Sequence, residues 1–402
     1  MMKVRVLNFL LVLTGVLVYY SCSNDDGIAT SSTEIKFNHP EGLENSEIKQ
    51  LTLTLKEKNT GNEIVTGNME GGIFKLTVPQ GLYDISAEGT ISYKAGEDII
   101  EGKVKGFKES VGISQNAWNT EMDLFLYDVK SGLIFEEIFF TGTQTPESKQ
   151  YRGDSYFKIY NNSDDVIYAD GYVIAESKFL TVTKYDYRPD IMNEAFASSA
   201  VYMIPGSGSD VPVEPGKSII ICDQAINHLE LNSNSFDLSS ADFEWYDETS
   251  SSLDTDNPAI PNLLKVYSES KTIWIPHNQG NKSYVLAKLG VNTDQFIADY
   301  KYDYEYDTST RVMTGTAYKI PNNWIVDAVN ISNKSTFEWI VTTPSLDMGW
   351  SYCAEVSGDN TRYGKSIQRK VLSITEDGRN ILQDTNNSTV DLIPRATPSL
   401  KK

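Results

Sequence analysis

Apolar and polar residues alternate with a period of two along much of the chain, and that period predicts strands with one buried face. Leu51-Thr52-Leu53-Thr54-Leu55 alternates without a break, and Ile73-Phe74-Lys75-Leu76-Thr77-Val78 repeats the pattern. Lys58-Asn59-Thr60-Gly61 is a hairpin-like turn. Pro79-Gln80-Gly81 turns the chain into Leu82-Tyr83-Asp84-Ile85-Ser86-Ala87, and Met122 to Tyr127 is a closing strand. These runs predict a first β-domain over residues 34–129 with little linker behind it.

The rest of the chain, residues 130–402, is organised around Ser131 to Ile174. Three β-type runs lie there: Leu133 to Phe140, Tyr156 to Tyr160, and Val166 to Ile174. Asn161, Asn162 and Ser163 end the middle run, because their side chains compete for backbone hydrogen bonds. Tyr284 to Ala287 and Trp324 to Val329 are the clearest later strands. Asp223 to Glu230 reads as a short helix with Asp223 as its N-cap. Three polar insertions, Glu176 to Ala200, Leu231 to Pro261 and Gly290 to Tyr318, are long for loops inside a compact domain, and such loops are usually functional or mobile. The expected fold is therefore all-β: two Ig-like β-sandwich domains in tandem, the second with long insertions.

Two resemblances follow from these residues. In the first domain, a glycine pair, an apolar strand, Pro79-Gln80-Gly81-Leu82-Tyr83 and a further strand resemble the prealbumin-like or carboxypeptidase-regulatory β-sandwich. Such modules act mostly as spacers or docking platforms. In the second domain, Glu137-Ile138, Tyr156 to Asn161 and Ala169-Asp170-Gly171-Tyr172 resemble the lamin-tail domain, an immunoglobulin-like sandwich. Glu214 to Ser218 leading into Ile219 to Cys222, Gly364 to Arg369, Asp384 to Ser388 and Pro398-Ser399 follow in the same order. The whole chain resembles an uncharacterised family of Bacteroidota surface lipoproteins, a domain of unknown function that contributes no catalytic residues.

The N-terminus adds a location. Lys3 and Arg5 precede a mostly apolar run, Val6 to Tyr20, that is shorter than the ~20 residues of a membrane span. Residues 1–21 therefore read as a signal peptide. Ser21-Cys22 resembles a lipobox, which makes Cys22 the lipid attachment site, and residues 22–33 a polar tether. Asp25-Asp26 resembles a surface-export signal, giving an outer-membrane, lipid-anchored protein facing the cell exterior. Loss of the signal takes the formal charge from −20 to −22, so no basic nucleic-acid footprint exists. Cys222 and Cys353 are read as small buried hydrophobes, with a disulfide between them as the alternative.

Candidate chemistry is sparse. His39, His228 and His277 are scattered, no nucleophile-elbow motif is present, and His277 reads as a surface turn residue. Gly206-Ser207-Gly208-Ser209-Asp210 lacks the ending of a phosphate loop and reads as a hairpin tip. No catalytic residue, cofactor or metal ligand is assigned; the acidic run Asp242 to Glu248 lacks calcium-loop spacing. On a strand, Tyr300, Tyr302, Tyr304 and Tyr306 share one face, either packed on a core or offered to a ligand. Phe243, Trp245, Tyr246, Tyr302 and Tyr304 are the candidate ligand-contact aromatics, because large amphipathic side chains concentrate there in polar insertions. The expected role is a surface binding or accessory protein for a glycan or peptide, beside an outer-membrane nutrient-uptake receptor. A hydrolase using insertion carboxylates and a structural adhesin or matrix component are the alternatives.

Overall fold

The alternating runs become strands. The computed structural model describes residues 29–40, 46–95, 98–127, 132–249 and 254–401. The signal peptide, Cys22 and most of the tether lie outside these residues. Thr30 to Thr33, expected as tether, are instead the start of the Thr30–Asn38 strand. Their backbone pairs with Leu76 to Pro79, and Ser31 and Thr33 are fully buried.

Thr30–Asn38 runs antiparallel to Ile73–Pro79 and parallel to Ala117–Asp123, within a four-stranded sheet. The second sheet has five strands, with Glu47–Glu57, Gly81–Ala95 and Asp98–Ile113 at its centre. Alternation sends Leu51, Leu53 and Leu55 to one side, where they meet Ile35, Phe37, Phe74 and Ile85 in a shared core. That core ends at Leu124, and the next one begins at Leu133.

The second domain is built on a six-stranded and a seven-stranded sheet. Tyr156–Asn161 lies inside the six-stranded sheet, between Leu133–Phe139 and Ser218–Cys222. Asn161 ends it as expected: its amide donates to the Asp165 and Val213 carbonyls, each at 2.7 Å. The seven-stranded sheet contains Tyr172–Ser177 between Ala195–Met203 and Tyr284–Lys288. Phe135, Phe157 and Ile221 from one sheet meet Ile174, Tyr202, Tyr284 and Leu286 from the other. Cys222 and Cys353 are buried free thiols.

One ionic staple crosses between the two sheets. Arg369, on Ser366–Arg369 of the six-stranded sheet, donates to both carboxylate oxygens of Asp327 at 2.9 and 2.8 Å. Asp327 belongs to Ile325–Val329 of the seven-stranded sheet. Arg369 also donates to Asp384 at 3.0 Å and, through Nε, to the Phe135 carbonyl at 2.9 Å. The Phe135 N–H returns to Asp327 at 2.6 Å, beside a bulge in the Leu133–Phe139 pairing. The bulge and the staple satisfy each other's backbone groups.

Two local expectations are corrected. Asp223 to Glu230 is not a helix; a 3₁₀ turn spans His228–Glu230 and is capped by Asn227. The Gln224 carbonyl accepts from the Ile226 N–H and from His228 Nε2, each at 2.9 Å, instead of from the His228 backbone N–H four residues on, so no α-helical turn closes there. His277 does sit in a turn, but half-buried, with Nδ1 accepting the Asn281 N–H at 3.2 Å. Burial, then Lys282, holds its imidazole down to about 4.

The staple makes a direct prediction. Arg369→Met leaves three buried carboxylates without their cation and should cost about 3–5 kcal/mol. Urea unfolding of the two proteins measures the difference, and adding Asp327→Asn should recover part of the loss.

Candidate functional site

The third insertion is more sheet, not loop. Lys301–Asp307 and Val312–Pro321 pair along their length, and Val312–Pro321 pairs with the start of Ala195–Met203. A short helix, Thr293–Asp299, capped by Asn292, precedes them. The sequence reading did not anticipate this helix. Strand alternation holds: Tyr302 and Tyr304 are buried on one face, and Lys301, Asp303 and Glu305 are exposed on the other. Tyr302 stands opposite Ala317, and Tyr304 opposite Gly315. A Cβ at Gly315 would collide with the Tyr304 ring, so glycine lets the ring lie flat on the neighbouring strand.

The loop between Ser177 and Ala195 lies against this added sheet. Tyr187 stacks on Phe179 with centroids 3.7 Å apart, and Tyr185 meets Tyr306 at 4.5 Å. Arg188 exchanges backbone hydrogen bonds with Glu305 at 2.8 and 2.9 Å. Its guanidinium pairs with Glu305 and Asp307. The Tyr302 hydroxyl donates to the Pro189 carbonyl at 2.6 Å. A later segment closes the far side: the Trp339 indole N–H donates to the Leu180 and Thr183 carbonyls at 2.9 and 3.1 Å.

Between these parts is a cleft of 470 Å³. Ile191, Met192, Ala195, Ala197 and Val341 contribute its apolar lining, and Phe179, Tyr185, Tyr187, Tyr302 and Trp339 its aromatic lining. Asp186, Asp190, Glu338 and Lys184 supply charge. The volume falls in the range of small-molecule sites, which combine apolar walls with a few placed polar groups. Burial pushes the Tyr302 hydroxyl up to about 12 and that of Tyr187 higher still, so both are neutral hydrogen-bonding groups. An adjoining hollow of 360 Å³ shares Lys184, Met192 and Trp339 with the cleft. Its other wall is Phe107 to Glu109 and Val111 of the first domain, which puts the cleft beside the domain junction.

The sequence candidates separate. Phe243 and Trp245 are in the inter-sheet core, where Trp245 packs on Phe157 and Trp274, so they are not ligand contacts. Tyr304 is buried under Tyr187 and Phe179. Tyr246 is half-buried and away from the cleft lining. Of the five, Tyr302 lines the cleft. The acids of the second insertion serve the fold: Glu244 accepts from the backbone N–H groups of Ala225 and Asn257, and Asp247 from the Tyr202 hydroxyl and the Trp274 backbone N–H. Tyr185, Tyr187 and Trp339 were not singled out from sequence. The alternation Tyr185-Asp186-Tyr187 within an insertion was the available signal for the first two; Trp339 had none.

This geometry defines an all-β protein of two sandwiches with an aromatic, acid-rimmed cleft on an extended sheet. Residues 214–399, within the second sandwich, match the family model described as protein of unknown function (DUF4876). A crystal structure of a DUF4876 family protein from Bacteroides thetaiotaomicron is similar over 92% of this chain and 97% of that one, at 23% identity and a TM-score of 0.55. The two therefore share a fold. A Bacteroides ovatus protein described as an adhesin candidate aligns over 78% of this chain at 11% identity, with a TM-score of 0.20 that carries no fold argument. No curated protein matches the chain.

Truncations should separate wall from core. Tyr304→Ala removes a buried ring and should cost about 3–5 kcal/mol of stability. Tyr185, 37% exposed at the cleft mouth, should lose less than about 1 kcal/mol on the same change. Thermal unfolding of both variants checks the order.

Proposed function

We propose that this protein is a lipid-anchored binding or accessory protein of the outer cell surface, and that the cleft between Tyr185 and Trp339 is where it takes its ligand. The carrying observation is that cleft: a 470 Å³ opening with aromatic walls, neutral phenols and an acidic rim, assembled by an insertion and an added pair of strands. The core between the two sheets contains none of these parts, so their presence argues for a use. Lys3, the apolar run behind it and Ser21-Cys22 support the anchor, and Asp25-Asp26 supports export to the exterior. The first sandwich then serves as a spacer, with Phe107 to Val111 bordering the site. A lamin-tail-like ancestry of the second sandwich and a receptor partner in the outer membrane belong to the same proposal.

Two experiments test it. Glycan and peptide arrays probed with the purified chain should give specific binders, and Tyr185→Ala should weaken them at least tenfold, about 1.4 kcal/mol, while the chain stays folded at the assay temperature. Unchanged affinity in Tyr185→Ala would remove the cleft from the proposal. In cells, Cys22→Ala should release the chain from the membrane fraction or leave it unprocessed, and external protease should cleave the wild type on intact cells. Unchanged fractionation, or protection on intact cells of a chain that is cleavable after lysis, would overturn the anchor or the exterior location respectively.

A further inference from the structure

The cleft already holds a cation against its aromatic wall, and that cation belongs to the protein. The Lys184 ammonium lies 5.5 Å from the centre of the Trp339 ring. Lys184 is exposed, and among the described residues its ammonium forms no salt bridge. Its backbone N–H, by contrast, is fixed by the Glu338 carboxylate at 3.1 Å. The residue is therefore anchored at its main chain, while its charged end rests on the indole within the field of the Glu109 carboxylate and without a salt bridge to hold it. Asp186, Asp190 and Glu338 line the same opening, so the carboxylates there outnumber the one lysine.

We infer that the cleft recognises an organic cation, an alkylammonium group on an apolar stem, and that Lys184 is a built-in competitor for the Trp339 face. This rests on the reading of the cleft as a ligand site and names its ligand class. The physical case has three parts. A tryptophan face is the best aromatic partner for an ammonium, and the attraction grows when the cation is desolvated. Met192, Ala195 and Ala197 offer the methylene stem an apolar surface. The surplus of carboxylates supplies countercharge and repels anions, and the chain's formal charge of −20 steers cations toward it. A neutral saccharide stacking on the same ring would gain only the vacated face from losing Lys184. A cationic ligand gains twice, since the ring is vacated and a repelling charge disappears.

Calorimetric titration of the purified full chain tests this with four probes: butylammonium, the N-acetylated and C-amidated peptides Gly-Lys-Gly and Gly-Gln-Gly, and maltose. Butylammonium or Gly-Lys-Gly should bind, Gly-Gln-Gly and maltose should not, and the stronger of the first two tells a free amine from a lysine side chain. Lys184→Gln should tighten the cation at least threefold, and Asp186→Asn should weaken it at least threefold. Asp186 is exposed, so that variant keeps the test independent of folding. Binding of maltose or Gly-Gln-Gly alone would keep a ligand-binding cleft and overturn the cation assignment. Cation binding that is indifferent to both substitutions would place the site elsewhere and overturn it too. Silence of every probe in both the wild type and Lys184→Gln would overturn it together with the reading on which it rests.

Discussion

A single buried arginine holds the second domain in register. Arg369 reaches across the sandwich from one sheet to Asp327 on the other, while Asp384 and Asp391 crowd the same guanidinium. Three acids around one base leave a surplus of negative charge in the interior, and burial pushes the Asp384 carboxyl up to about 7 against the pull of Arg369. Taking such groups out of water is expensive, and a hydrophobic set of the same volume often does as well for stability. The arrangement is better understood as a specificity device. Its partners include the backbone N–H and carbonyl of Phe135, which are free to bond there because the strand bulges. A strand shifted by one residue would lose all of these bonds at once.

With the sandwich fixed in this way, the chain can extend one sheet sideways. Ala195–Met203 serves two neighbourhoods: its later residues Ala200 and Tyr202 pack between the sheets, and its first residues continue into the added strands. A register shift in its pairing with Tyr172–Ser177 lies between the two halves. On the added part, Phe196 and Ile320 face one cluster while Ala195, Ala197, Tyr302 and Tyr304 face another. The second of these faces is what the 178–194 loop covers incompletely, and the uncovered remainder is the cleft.

Much of this was legible in the sequence because β-structure writes its period directly into the chain. Leu51 to Leu55 and Tyr302 to Tyr306 show which side chains share a face, and the structure keeps those faces. What alternation cannot say is what lies over a face. Phe243 and Trp245 looked like ligand contacts because they sit among acids, yet those acids are spent on backbone N–H groups and the rings fill the core. Asp223 looked like a helix cap because capping is a local pattern, whereas the Gln224 carbonyl behind it is taken by the Ile226 N–H and the His228 ring. In the key pair of the cleft, Lys184 lies in the first insertion and Trp339 outside all three, and no local signal joins residues brought together by the fold alone.

The depth of the cleft depends on two methyl groups. Ala195 and Ala197 line the cleft from a strand that pairs there with the Val312–Pro321 strand. A valine or leucine at either position would fill the opening from below without touching the Arg369 staple or the core between the sheets. Fold and cleft size are thus written in separate residues. Under the proposed function, a lineage carrying this architecture can retune the size of what the cleft admits, one side chain at a time, while both sandwiches stay as they are.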